Sequence, residues 1–276
     1  MVGKHSYDES ASGSGARGGA MPTTQRRQAI LAQVRAQQSV KVGELSTELG
    51  VSAETIRKDI LALDERGLLE RVHGGAVATA NRESAYESRK TINAQAKRDI
   101  AREAVRLAAD AHSIYLDYGT TAFQIAQLIA VSDPDVMVIS ASLPIITALL
   151  PCERVQLVVP GGQVRRNENS LGGPLTDKAM QGLFFDIGFF GCAGIAARSG
   201  VTNFDAVENA VSQLAASHCQ RVVLVADHSK FDRTAALGAA SIDDLDDLVT
   251  DREPEGELAS LLESSHCTIH VTQGRT

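Results

Sequence analysis

The sequence predicts an α/β chain in two parts, a small helical module closed by a hairpin and then an open, mainly parallel α/β domain. Three observations predict this. Between Val42 and Gly75 two short helical patterns meet at Gly50 and lead into a strand-and-turn run. From Lys97 onward, short apolar runs of strand length alternate with helical patterns, the mark of a parallel sheet. The chain has 276 residues, 43% of them apolar, which is enough for two domains with real cores. Aromatics make up only 4% and Trp is absent, so those cores are aliphatic.

The first twenty residues are rich in Gly, Ser and Ala with no periodic apolar face, and residues 1–22 are expected to be a disordered tail. Met21 is a second candidate start. Thr24 opens the first helix, with Ile30, Leu31 and Val34 inward. Arg26 and Arg27 near its start suit either a backbone phosphate or a solvated face. Val40-Lys41-Val42 alternates as a short strand able to pair with the later hairpin. Leu45 and Leu49 share one face of the next helix, and Gly50 ends it because glycine tolerates the left-handed conformation. Ser52 then stands at an N-cap, where its hydroxyl accepts from a free backbone N–H. Ile56, Ile60 and Leu63 recur at helical spacing and share a buried face, while Ala53, Glu54, Arg57 and Lys58 fall away from it. Gly67 stops this helix, Leu68 to Val72 reads as a strand, and His73-Gly74-Gly75 is a turn. Two helices with a Gly turn and a following hairpin describe a winged helix-turn-helix, whose second helix presents its N-terminal half to a DNA major groove. The candidate DNA contacts are Ser52, Thr55, Arg57 and Lys58 on that helix and Arg71, His73 and Gly74 on the wing. The Gly pair there lets backbone approach a phosphate closely.

Charge bounds this reading. The formal net charge is −7, which excludes a protein that coats nucleic acid by bulk charge. Between Met21 and Ala80 eight Lys/Arg face seven Asp/Glu, a balance of +1. Only clustered cations are then expected to face phosphate, with a dimer doubling the footprint.

The four cysteines, Cys152, Cys192, Cys219 and Cys267, are widely spaced, so neither a zinc site nor a redox pair is signalled. Free thiols in a reducing cytoplasm are the expected state. No run is apolar enough for a membrane span, no apolar leader is present, and neither metal nor cofactor is called for.

Residues 23–78 are read as the winged module and 79–96 as a polar linker, with Tyr86, Glu87 and Arg89 free to pack on either side. Residues 97–250 form the sheet domain, and 251–276 an extension that completes it. Ile100, Ala101, Ala104 and Leu107-Ala108 mark an amphipathic helix. Strands follow at Ile114–Leu116, Val136–Ile139, Val155–Val159, Ile187–Phe190 and Val222–Ala226. In open parallel sheets a ligand binds at the carboxyl ends of the strands. There Asp117-Tyr118-Gly119-Thr120-Thr121 joins strand to helix. Gly119 permits close backbone approach, and the hydroxyls of Thr120 and Thr121 join the helix N-terminal N–H groups to hold a phosphate. Asp117 would repel a phosphate, so it is read as accepting from a sugar hydroxyl or orienting the loop. Lys97 and Lys230 supply positive charge. Gly161-Gly162, Gly191-Cys192-Ala193-Gly194 and Asp227-His228-Ser229-Lys230 stand at equivalent strand ends.

Thr55-Ile56-Arg57-Lys58-Asp59, followed by Leu63, Gly67, Leu69, Arg71 and His73-Gly74-Gly75-Ala76, resembles the DNA-binding module of the DeoR family of bacterial transcriptional regulators. The likeness runs over roughly Thr24 to Ala78. Lys97, Asp117 with Gly119-Thr120-Thr121, Gly161-Gly162, Asp186 with Gly191 and Gly194, and Asp227 with Ser229-Lys230-Phe231 resemble that family's sensor domain. The resemblance implies a fold similar to ribose-5-phosphate isomerase and glucosamine-6-phosphate deaminase, and a phosphorylated sugar or related metabolite as effector. It also implies a double-stranded DNA operator in carbohydrate metabolism, repression relieved by the effector, and a homodimer or homotetramer. The family often has Asn after the second strand, where this chain has Ser140-Ala141-Ser142, and a basic residue near Asn209. Ser140 is carried as an effector contact in that place.

Two rival functions are tested by the same residues. A sugar-phosphate isomerase or deaminase needs a carboxylate base, yet Gly191-Cys192-Ala193-Gly194 has none, and Glu208 in a polar helix reads as solvated. A pure protein-interaction module would leave Arg57 and Lys58 without a DNA role.

Overall fold

The computed structural model describes residues 21–37, 39–65, 68–77, 86–166 and 168–272. The expected tail up to residue 20 and the helix stop at Gly67 lie outside the described residues. The chain divides into two compact units, one reaching to Ala78 and the other continuing from Thr79.

The first unit runs α1 (Thr23–Gln37), β1 (Ser39–Lys41), α2 (Val42–Glu48), α3 (Ala53–Asp64), β2 (Glu70–Val72) and β3 (Gly75–Val77). Helical spacing dictates its core: Ile30 and Val34 of α1, Leu45 of α2, and Ile56, Ile60 and Leu63 of α3 are all at most 1% exposed. Leu31 and Leu49, expected inward, are half-buried. β2 and β3 form an antiparallel hairpin, and β1 pairs with β3 on its other side. Gly75 is required by that pairing, since a Cβ there would lie 2.0 Å from the Val40 carbonyl oxygen. This corrects the expectation for the Gly pair: Gly75 admits β1, and only Gly74, with φ +83° at the exposed turn, is left for a phosphate.

The second unit starts inside the stretch expected as a linker. Within 79–96, residues 79–85 lie outside the described residues, whereas Tyr86–Thr91 is helix α4 and Ala94 begins α5 (Ala94–Leu107). Tyr86 is 1% exposed, which a solvated linker would not give. There follow β4 (Ser113–Leu116), α6 (Thr120–Ser132), β5 (Val136–Ile139), α7 (Leu143–Leu149), β6 (Val155–Val158) and the antiparallel hairpin β7 (Gln163–Arg165) and β8 (Ser170–Gly172). Next come α8 (Pro174–Met180), β9 (Ile187–Phe190), β10 (Gly194–Ala196), β11 (Gly200–Asn203), α9 (Ala206–Ser217) and β12 (Val222–Val225). The unit ends with β13 (Leu237–Ala240), β14 (Asp247–Thr250), α10 (Gly256–Ser264) and β15 (Thr268–Val271).

Seven strands form one sheet in the order β15-β14-β12-β9-β4-β5-β6, and every pair in it is parallel. Period-two alternation feeds both faces. Ile114 and Leu116 of β4 pack with Ile100 of α5 and Ile125 of α6, while Tyr115 between them turns to the opposite face. There its ring lies 5.3 Å from those of Phe185 and Phe190. The chain builds outward from β4 to β6, then returns to place β9 on the other side of β4. That reversal is a topological switch point, where the loops after β4 and β9 part and leave a crevice. No described helix is long and apolar enough to cross a membrane.

Candidate nucleic-acid face and ligand site

On the first unit, helix α3 carries the candidate face. Ser52 caps it as the sequence requires: its Oγ accepts from the Thr55 N–H at 3.2 Å and lies 2.9 Å from Thr55 Oγ1. Both hydroxyls therefore serve the cap first. Arg57 and Lys58 are exposed, and Arg57 makes a surface pair to Glu54 at 3.3 Å. Arg71, His73 and Gly74 are exposed on the wing, whose backbone is fixed by the Arg71 N–H donating to Asp64 at 3.1 Å.

Arg26, 7% exposed, suits neither of its expected roles, while Arg27 is tied inward but keeps 32% of its side chain exposed. Their Nε atoms donate to Asp59 Oδ2 and Oδ1 at 2.5 and 2.8 Å, and Asp59 is 2% exposed. The signal was in the spacing: Asp59 stands three residues after Ile56, on the inward face, where a charge must be paired. The arginines stitch α1 to α3 and leave α3's outer face to Arg57 and Lys58.

On the second unit, the loops after β4 and β9 meet at Asp117. Its Oδ1 accepts from Ser212 Oγ at 2.7 Å and Tyr115 OH at 3.3 Å, and its Oδ2 from the Gly191 N–H at 3.3 Å. Burial pushes the Asp117 carboxyl up to about 6, against the hydrogen bonds from Ser212, Tyr118, Gly191 and Tyr115 that draw it down. Asp117 is thus a loop-orienting group with both oxygens engaged. Above it Gly119 takes φ +112° and starts α6, so the first N–H groups of that helix open beside Thr120 and Thr121.

A second cluster forms after β12. Asp227 Oδ1 accepts from Asn93 Nδ2 at 2.7 Å and from the Ser229 N–H at 3.0 Å. Burial raises its carboxyl, but those bonds and the charges of Lys230 and Lys97 outweigh it and hold the group below the ordinary value. Lys97 is 5% exposed, and its Nζ donates to the Arg89 carbonyl at 2.7 Å.

Other expected contacts turn out to be braces. Ser140 is fully buried. Its hydroxyl donates to the Leu116 carbonyl at 2.8 Å and accepts from the Ser142 N–H at 3.2 Å, which ties β5 to β4 and removes it from a ligand's reach. Gly162 makes room for Thr176, whose Oγ1 would be 2.0 Å from a Cβ there and instead donates to the Gly161 carbonyl. Gly194 begins β10 and packs on the Arg233 carbonyl, so its small size serves that contact. Glu208, expected to be solvated, accepts from Ser170 Oγ at 2.8 Å and pairs with Arg165 at 3.0 Å. Its place on the face shared with Val211, Ser212 and Ala215 could have shown this. Asp117 and Glu208 are both held by hydrogen bonds within the unit. Burial pushes the Cys219 and Cys267 thiols up to about 12.

A winged reading head on one unit and a polar switch-point crevice on the other define a DNA-binding regulator that carries its own sensor. Comparison with known proteins gives the family. The DeoR-like helix-turn-helix domain matches residues 26–82 and the DeoR C terminal sensor domain matches residues 92–252. A putative aga operon transcriptional repressor of Escherichia coli O157:H7 is 33% identical, over 87% of this chain and 90% of its own. The glycerol-3-phosphate regulon repressor of Escherichia coli K12 is 27% identical, over 91% of this chain and 100% of its own. Among solved structures, ribose 5-phosphate isomerase A of Methanocaldococcus jannaschii aligns with 49% of this chain and 53% of its own at 20% identity, with a TM-score of 0.36. The chain belongs to the DeoR family of transcriptional regulators. It is a DNA-binding regulator and not an enzyme.

Proposed function

We propose that this chain represses genes of carbohydrate metabolism and that a phosphorylated sugar, or a related small phosphate ester, relieves the repression from the strand edge of the second unit. The observation that carries this reading is the start of α6 at the switch point of a parallel sheet, where Gly119 caps the helix and is followed by the buried Thr120 and the half-buried Thr121. Lys97 and Lys230 add positive charge at the same edge. The relative named for the glycerol-3-phosphate regulon supports a small phosphate ester as the effector class.

In the cytoplasm, two or four copies place their α3 helices in successive major grooves. Arg57, Lys58 and Thr55 meet bases or phosphates, Ser52 keeps the helix start in place, and Arg71, His73 and Gly74 meet the backbone. The effector changes operator affinity only as far as it binds the free and DNA-bound arrangements differently.

The test is a division of labour, read on the promoter fragment that the purified chain retains. Thr120→Ala with Thr121→Ala is expected to abolish the response to a panel of sugar phosphates and leave operator affinity unchanged. Arg57→Ala with Lys58→Ala is expected to lower operator affinity by roughly 10-fold or more while sugar-phosphate binding persists. Loss of both properties in either double variant would refute the division.

A further inference from the structure

The segment from Tyr86 to Lys97 is anchored on both sides of the switch-point crevice. On one side Asn93 donates to Asp227, which follows β12, one strand beyond β9. On the other, Arg89 pairs with Glu168 in the turn of the β7–β8 hairpin. That hairpin folds back on the end of β5, where the Leu171 N–H donates to Ala141 and the Leu143 N–H donates to Asn169. Between these anchors the Lys90 ammonium lies 5.4 Å from the ring centroid of Phe123, in the first turn of α6. One short helix and its connection to α5 therefore touch the elements that follow β12, β4 and β6. The same segment joins the sheet to the reading head, since only residues 78–85 separate β3 from α4.

Lys97 gives this arrangement a trigger. Its ammonium donates to the Arg89 carbonyl in the last turn of α4. The same ammonium and that of Lys230 lower the Asp227 carboxyl. An anion entering this edge competes with Asp227 and with the Arg89 carbonyl for those two positive charges. Drawing Lys97 towards the anion takes its hydrogen bond from the Arg89 carbonyl and so loosens the end of α4.

We propose that the Tyr86–Lys97 segment is a latch across the ligand crevice: docked when the crevice is empty, loosened when an anionic ligand takes Lys97, and joined to the reading head by the chain that follows β3. This deepens the sugar-phosphate reading above and rests on it. It supplies what coupling requires, a discrete element whose docking both sites bias.

The test separates the two ideas. Asn93 has φ +51°, a conformation that glycine adopts freely, so Asn93→Gly removes the amide anchor without backbone strain. Arg89→Glu breaks the other anchor, and Arg89→Glu with Glu168→Arg rebuilds it in reverse. Operator affinity of the full-length chain is measured without ligand, and again with glycerol 3-phosphate, ribose 5-phosphate and fructose 6-phosphate. Thermal melting of each variant serves as the folding control. The latch predicts that both single variants shift ligand-free operator affinity in the same direction, by about 5-fold or more, and that the swap restores it. Single variants within about two-fold of wild type, or a swap that restores nothing, overturn the latch. If a sugar phosphate still alters wild-type binding in that case, the effector reading survives alone. If the variants shift affinity but no sugar phosphate does, the latch stands and the effector class is wrong.

Discussion

Charged side chains are arranged in opposite ways in the two units. In the reading head one buried carboxylate, Asp59, takes two arginines of α1, and the cations of α3 stand out in solvent, where Arg57 makes a loose surface pair to Glu54. At the strand edge of the second unit the carboxylates Asp117, Asp227 and Glu208 are all buried and all tied by contacts from far along the chain. In the proposed function a duplex would supply the counter-charge to these exposed cations. If the proposed anionic effector binds there, a carboxylate left unengaged at that edge would repel it.

The largest expected effect tests the inward half of that contrast. Asp59→Ala leaves Arg26 buried with no carboxylate, and breaking such a pair from one side costs about 3–5 kcal/mol. A module this small has little stability in reserve. The variant is expected to lose operator binding and to become protease-sensitive in its first unit, while sugar-phosphate binding to the second unit persists. Retained operator affinity at wild-type strength would show that the Arg26–Asp59–Arg27 cluster is dispensable.

The next effect concerns Asp117. Its folded value of about 6 lies above the ordinary 3.8, so the folded chain holds this proton more tightly than the unfolded chain. The resulting stabilisation is complete below about pH 3.8 and is lost as pH rises through about 6. A shift of about two units corresponds to roughly 3 kcal/mol. Asp117→Asn cannot ionise, so its stability relative to wild type is expected to rise across that window, whatever the fixed cost of the amide. Urea unfolding of both chains between about pH 4 and pH 7.5 measures the difference. A flat difference would mean that Asp117 is already ionised throughout.

The same contrast explains what the sequence made legible. The head's elements are local: Gly50, Ser52 and the Ile56–Ile60–Leu63 spacing specify helix ends and a buried face within a dozen residues. Five strands of the sheet were legible for the same reason, as short apolar runs with turns between them. β14 and β15 were not, because Asp247-Leu248-Val249-Thr250 and Thr268-Ile269-His270-Val271 dilute their apolar residues with polar ones. Within the site, Gly119-Thr120-Thr121 announced a helix start on its own. Ser140, Gly162 and Gly194 looked like ligand contacts because their real partners, Leu116, Thr176 and Arg233, are long-range neighbours that no local pattern reveals. Asn93 and Asp227 are 134 residues apart, and only the folded sheet brings them together.

The smallest effect sharpens the outward half of the contrast. Arg57 and Glu54 are 62% and 64% exposed and 3.3 Å apart, the geometry of a surface pair worth at most about 0.5 kcal/mol. Glu54→Gln is therefore expected to leave melting within about a degree of wild type. Its effect on DNA has a clear sign. Glu54 sits in the first turn of α3, beside the face expected to enter the groove, where a carboxylate opposes phosphate and draws Arg57 sideways. Removing that charge frees the guanidinium, so operator affinity is expected to rise a few-fold at low salt. If Arg57 then gains a phosphate, the dependence of log affinity on log salt steepens by about 0.9. An unchanged slope with tighter binding would place Arg57 on a base edge instead, and a loss of affinity would mean that Glu54 itself contacts a base.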